Sequence, residues 1–217
     1  MMDKAVVFDM DGVLFDTERL CRDSWIEVAR QQGLPDMDRI FPRCIGLNAN
    51  DSRQIVLGAY GSDFAYDEFR AKASDWFWEY IEKNGLPIKP GVKELLGWLS
   101  ENHWKVGLAS STRGSSVLRH LEQAGIRAHF QTVVTGDMVE HSKPLPDIYL
   151  MACEKLGADP KQTFAIEDSP NGIRSAHRAG MCALMVPDMI EPDQEMKDLS
   201  SRIFGDLLEV LEYFRSV

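Results

Sequence analysis

No apolar run in this sequence approaches the ~18 consecutive residues that a membrane span needs. The start is Met-Met-Asp-Lys, then a short apolar stretch broken at Asp9. It lacks the basic head, long apolar run and small-residue cleavage site of a secretory leader. Paired cysteines are missing too: Cys21, Cys44, Cys153 and Cys182 are widely spaced, with no CxxC motif and no Cys/His cluster. That argues against a zinc site or a disulfide framework and for free buried thiols. The five histidines are scattered, with no pair at helical ligand spacing. Positive charge is in deficit, 24 Lys and Arg against 34 Asp and Glu, a formal net charge of −10. Such a chain is poorly suited to nucleic acid or an anionic membrane surface. A small phosphorylated ligand stays compatible, because a few cations or a bound metal reverse the local potential. What remains is an ordinary globular composition, 217 residues with 44% hydrophobic and 27% charged. That is enough chain to bury a core without staples. The expectation is a cytoplasmic monomer with no nucleic-acid or membrane partner.

The periodicity divides the chain. Ala-Val-Val-Phe at 5–8 is a β-branched apolar run ending at Asp9-Met10-Asp11-Gly12, the pattern of a buried parallel strand. From Glu18 the period changes, with Cys21, Trp25, Val28, Ala29 and Gln32 on one helical stripe that Gly33 stops. Residues 49–60 and 67–83 also read as helical, the latter through Phe69, Ala73, Trp76, Phe77, Tyr80 and Ile81. Trp78 falls off that stripe. Beyond Pro90-Gly91 helices alternate with strands near 105–109, 132–134, 163–166 and 183–186. Strands alternating with helices imply a parallel sheet covered on both faces. The predicted fold is therefore α/β, with an all-helical insertion after the first strand.

Ligands of open parallel sheets bind outside the carboxyl ends of the strands. There the sequence places Asp9, Asp11 and Gly12 after the first strand, and Ser110, Ser111 and Thr112 after the second. Glu167, Asp168 and Ser169 follow the fourth, and Lys143 lies after the third. Carboxylates, hydroxyls and one ammonium at one rim are the inventory for phosphoryl transfer. A carboxylate attacks phosphorus and splits a very slow reaction into two easier steps. Its repulsion by an anionic phosphate has to be cancelled, which Mg²⁺ held by carboxylates does. A hydroxyl, a backbone amide and a lysine can hold the remaining oxygens. A second carboxyl group can protonate the leaving oxygen and later activate water.

Asp9-Met10-Asp11-Gly12-Val13, Ser110, Lys143-Pro144 and Glu167-Asp168 resemble the four ordered motifs of the haloacid dehalogenase superfamily. The helical segment resembles the four-helix cap of its β-phosphoglucomutase-like branch. The resemblance spans essentially the whole chain. It implies a Rossmann-like α/β core at 1–17 and 86–217 with a helical cap at 18–85. It also implies a Mg²⁺-dependent phosphatase for small phosphomonoesters such as sugar phosphates. By position, Asp9 would be nucleophile and metal ligand. Asp11 would be general acid/base, its main-chain carbonyl also facing the metal. Ser110, the amide of Ser111 and Lys143 would bind phosphate. Asp168 would be a metal ligand, and Glu167 a ligand or an orienting group. Cap residues Cys21, Asn48, Arg53 and Lys72 are the candidates for substrate specificity.

Each residue also has a plainer reading. Acidic residues after strands often only cap helices, and Ser110–Thr112 could cap a helix starting near Gly114. Lys143 could be a surface lysine, and Asp168 before Ser169-Pro170 could mark only a helix start. Three departures bear on the reaction. β-Phosphoglucomutases carry histidine at the place of Cys21, arginine at that of Ala49 and asparagine at that of Gly114. The first two weaken the mutase alternative, in which a hexose phosphate is isomerised through a bisphosphate. A dehalogenase is disfavoured by Asp11, and a catalytically silent phosphate-binding regulator by the intact motifs.

Overall fold

The computed structural model describes residues 4–45 and 49–216, and they form two compact units. The larger comprises residues 1–16 and 86–217, the smaller residues 17–85. Among the described residues no helix is long and apolar enough to cross a membrane.

The larger unit is built on a six-stranded sheet. Its strands are β1 (Ala5–Phe8), β2 (Lys105–Ser110), β3 (Thr132–Thr135), β4 (Thr163–Glu167), β5 (Cys182–Met185) and β6 (Arg202–Ile203). They lie in the order β3-β2-β1-β4-β5-β6, every neighbouring pair parallel. The chain moves outward from β1 to β3 and then returns to β1's other side for β4. The crevice between β1 and β4 is thus a switch point, where parallel sheets bind ligands. Register sets the rim: Phe8 pairs with Leu108 on one side and Ile166 on the other. The next residues, Asp9, Ala109 and Glu167, therefore lie level at the ends of three adjacent strands.

Residues alternate across the strands. Val7, Ala109, Ala165, Ala183 and Met185 face one apolar cluster with α7 (Asp147–Leu156), α8 (Pro170–Arg178) and α9 (Gln194–Leu199). Small side chains let the helices approach closely; a Cβ on Gly107 would come 2.9 Å from the Leu156 side chain. On the opposite face Phe8 meets Phe130 edge-on at 6.2 Å, and Phe164 meets Phe214 at 5.0 Å. That layer includes α5 (Val92–Glu101), α6 (Gly114–Gln123) and α10 (Leu207–Ser216), whose Leu95, Leu96, Leu99, Val117, Leu121 and Phe214 are buried.

The described residues of the smaller unit form helices and connecting loops, with no strand among them. It contains α1 (Thr17–Gln31), α2 (Met37–Ile40), α3 (Ala49–Tyr60) and α4 (Tyr66–Asn84). Trp25 is its hub, meeting Phe41 at 5.2 Å and Phe69 at 5.5 Å edge-on, with the Arg70 guanidinium 4.9 Å from its ring. The α1 stripe differs from the expected one in two places. Gln32 lies beyond the helix and is exposed, whereas Leu20 and Ser24 are buried beside Trp25, Val28 and Ala29.

Candidate active site

Lys143 organises the rim, and it is buried rather than a surface lysine. Its Nζ donates to Asp9 Oδ1 at 2.5 Å, to Glu167 Oε1 at 2.6 Å and to the Ala109 carbonyl at 3.1 Å. Those acceptors are on the three residues that strand register holds level, so an ammonium's three donors are all used. Burial alone would lower the pKa of this lysine, but the adjoining carboxylates of Asp9 and Glu167 push it up. Tyr149, fully buried on α7, donates from its hydroxyl to Glu167 Oε1 at 2.8 Å and lies 5.0 Å below the ammonium. Glu167 Oε2 accepts from the Asp168 amide at 3.1 Å, the Ser169 amide at 3.2 Å and Ser169 Oγ at 3.1 Å. Both oxygens of Glu167 are therefore engaged in holding Lys143 and the start of α8. Ser169, not Asp168, caps that helix, its Oγ accepting from the Gly172 amide at 3.1 Å.

Two glycines make room for this packing. A Cβ on Gly12, which has φ +84°, would fall 2.2 Å from Asp168 Oδ2. A Cβ on Gly172 would fall 1.8 Å from the Glu167 carboxyl carbon. Alanine in place of glycine within a helix ordinarily gains up to about 1 kcal/mol. Gly172→Ala reverses that sign: the Glu167 carboxylate is pinned by its donors and cannot retreat. The expected loss is about 1–3 kcal/mol, as for other overpacked sites, measurable as a lower Tm.

Asp9, Glu167 and Asp168 each bring a carboxylate oxygen within 4.8 Å of the others. Burial first, then the charges of Glu167 and Asp11, raise Asp9 to about 8 against the pull of Lys143. Burial, with Glu167 and Asp9 beside it, likewise lifts Asp168 well above the usual carboxylate range. One ammonium, paired with Asp9 and Glu167, serves a cluster of three carboxyl groups, two buried and one half-buried, and the cluster is short of positive charge. An all-oxygen donor set of this kind fits a hard divalent cation. The Asp11 side chain is outside the cluster: its Oδ2 accepts from Thr112 Oγ1 at 2.8 Å.

The segment after β2 is equally fixed. Ser110 is fully buried, and its Oγ accepts from the Thr112 amide at 3.1 Å. Ser111 is exposed. The Gly136 amide donates to the Thr112 carbonyl at 3.2 Å. A Cβ on Gly136 would lie 2.2 Å from the Ser111 carbonyl oxygen, so the two loops press together. Arg113, not a serine, is the N-cap residue of α6, so the hydroxyls of this segment are not helix caps.

The structure thus assembles Asp9, Asp11, Ser110, Lys143, Glu167 and Asp168 at one rim. Sequence reading left three participants without roles. Thr112 and Ser169 were visible only as hydroxyls at strand ends. Tyr149 carried no signal except an aromatic hydroxyl on an apolar helix face. In the helical unit, Arg53 pairs with Asp67 and lies 5.1 Å over the Tyr66 ring, while Lys72 is exposed. The Cys21 thiol is pushed up to about 11 by burial, with Glu18 adding to the rise and Arg70 opposing it. Asn48 lies outside the described residues.

A sequence profile of haloacid dehalogenase-like hydrolases matches residues 6–186. A phosphorylated carbohydrates phosphatase of Thermotoga maritima is 32% identical over 182 residues, 82% of each chain. A β-phosphoglucomutase of Bacillus subtilis is 30% identical over 98% of this chain and 97% of its own. Among solved structures, a HAD family hydrolase of Deinococcus radiodurans R1 with bound phosphate and sodium superposes with a TM-score of 0.83. It is 25% identical and covers 99% of this chain and 96% of that one. The profile covers most of the chain, including each strand-end motif from Asp9 to Asp168: this protein belongs to the haloacid dehalogenase-like hydrolases.

Proposed function

We propose that the protein is a phosphatase for small phosphomonoesters, sugar phosphates foremost, working through a phosphoaspartate on Asp9. The supporting observation is the Asp9–Lys143–Glu167 network level across three strands, with Asp11 two residues away on its own support. Asp9 and Asp168 would hold Mg²⁺, joined by the main-chain carbonyl of Asp11. Glu167, whose oxygens are already engaged, is assigned to orienting Lys143. When bound, the cation would offset the charge of the carboxylates and the phosphate.

The protein's own groups carry the steps. An Asp9 oxygen attacks phosphorus, the ester P–O bond breaks, and the departing alkoxide takes the proton of the Asp11 carboxyl group. Asp11, now a carboxylate, takes a proton from water as that water attacks the phosphoaspartate. The Asp9–phosphorus bond breaks, inorganic phosphate leaves, and both side chains return to their starting states. Ser110, the Ser111 amide and a Lys143 donor hold the phosphate oxygens throughout. Leaving-group selection is assigned to the inserted helical unit, with Cys21, Asn48, Arg53 and Lys72 as the residues to vary.

Phosphate release from a panel of sugar, polyol and nucleoside monophosphates tests this reading. Turnover with Mg²⁺, lost on adding EDTA, is the expected result. No release from any member by folded, magnesium-loaded protein would overturn it. The β-phosphoglucomutase relative keeps a mutase as the second reading. Cys21 stands where those enzymes carry histidine, and the Gly114 amide is taken by Asp137 Oδ1 at 3.0 Å. Product analysis separates the two, since a mutase returns an isomeric phosphate and little free phosphate.

A further inference from the structure

Asp9 and Glu167 share Lys143, but Asp11 is held from a different side. Its Oδ2 accepts a hydrogen bond from Thr112 Oγ1 at 2.8 Å, between residues 101 positions apart in sequence. Thr112 is itself fixed at both main-chain polar groups. Its amide donates to Ser110 Oγ at 3.1 Å, and its carbonyl accepts from the Gly136 amide at 3.2 Å. A β-branched side chain adds a stiff χ1, so the hydroxyl is presented from a rigid mount. Gly12 directly follows Asp11 at φ +84°, where the main chain turns away.

Resting on the phosphatase reading above, we propose that Thr112 is the positioning residue for the general acid/base. Its hydroxyl occupies Oδ2 and leaves Oδ1 as the atom that carries the proton. In the first step Oδ1–H is given to the departing alkoxide while Oδ2 keeps accepting from Thr112. In the second step Oδ1 takes the proton from water with the same support. Because the Thr112 amide also bonds Ser110 Oγ, one residue sets the spacing between a phosphate-binding hydroxyl and the acid/base carboxyl group.

Thr112→Val keeps the shape and removes the donor, and Thr112→Ser restores the donor. A lost hydrogen bond to a carboxylate predicts a fall in kcat on a sugar phosphate of about 10- to 100-fold, with KM changed less than about twofold. Thr112→Ser should recover most of it. Single-turnover release of p-nitrophenolate from p-nitrophenyl phosphate should stay near wild type in Thr112→Val, because that leaving group needs no proton. A wild-type kcat on sugar phosphate in Thr112→Val would overturn the assignment. So would an equal loss on both substrates, or a loss that serine does not recover. Asp9→Asn run alongside separates the two ideas: turnover in that variant removes the phosphoaspartate mechanism itself, whereas an inactive Asp9→Asn with an unimpaired Thr112→Val removes only the role of Thr112.

Discussion

Asp9→Asn should abolish turnover, by about 10⁴-fold or more as for other lost nucleophiles, and should also make the metal-free protein more stable. The first effect follows from chemistry: an amide oxygen is a poor nucleophile and cannot form the acyl phosphate. The second follows from where the carboxylate sits. Asp9 is buried, faces Glu167 and Asp11, and titrates near 8 rather than near the ordinary 3.8. Between those values the folded protein holds a proton that the unfolded chain has released. Stability therefore falls as pH rises through that window. The raised Asp168 acts in the same direction. In the metal-free wild type, Tm should drop between pH 5 and pH 8.5, and in Asp9→Asn it should drop less. Adding Mg²⁺ should raise the wild-type Tm most at the alkaline end, where the carboxylates are ionised and ready to bind. A flat wild-type Tm across that range would mean that Asp9 is not under this repulsion. Active sites commonly carry such unfavourable arrangements, and the variant that loses function gains stability.

Much of this site could be read from sequence because its chemistry is tied to strand ends. Asp9, Ser110 and Glu167 sit at or just beyond the last residue of an apolar β-branched run, and such runs are the clearest signal in a parallel sheet. The five longer strands follow those runs closely. β6 escaped because it has two exposed residues, Arg202 and Ile203, and shows no alternation. α9 also escaped, although its signal was present: Asp193 accepts from the Met196 amide at 2.8 Å as an N-cap. The helical pattern of α1 was right in period but rotated, with Leu20 and Ser24 inside and Gln32 outside. Patterning identifies an amphipathic face only to within a residue or so, since neighbouring helices decide its edges. What sequence could not supply is the partner of each functional group. Nothing in the spacing of Tyr149 and Glu167, or of Thr112 and Asp11, announces a hydrogen bond. Those contacts come from the packing together of elements that lie far apart in the chain.

Lys143→Ala should have the largest effect on the fold itself. The ammonium gives its three donors to Asp9, Glu167 and the Ala109 carbonyl, at 7% side-chain exposure against 10% for Asp9 and 0% for Glu167. Removing one partner from a buried ionic network leaves the others uncompensated, a loss of about 3–5 kcal/mol. At ~2–4 °C per kcal/mol for a chain of this size, Tm should fall by roughly 10 °C. Tyr149 and Ser169 would still hold Glu167, but Asp9 would lose the Lys143 charge that opposes its rise and become harder still to ionise. Arginine should not restore the site. A planar guanidinium cannot direct donors at three acceptors spaced around a single nitrogen. On the mechanism proposed above, a phosphate oxygen takes over one ammonium donor, so the variant should also lose transition-state charge stabilisation of about 10²–10³-fold. Thermal unfolding and single-turnover kinetics on the same preparations separate the two losses. Full stability in Lys143→Ala would show that the three carboxylates share their charge by some other route. Full activity would remove Lys143 from phosphate binding.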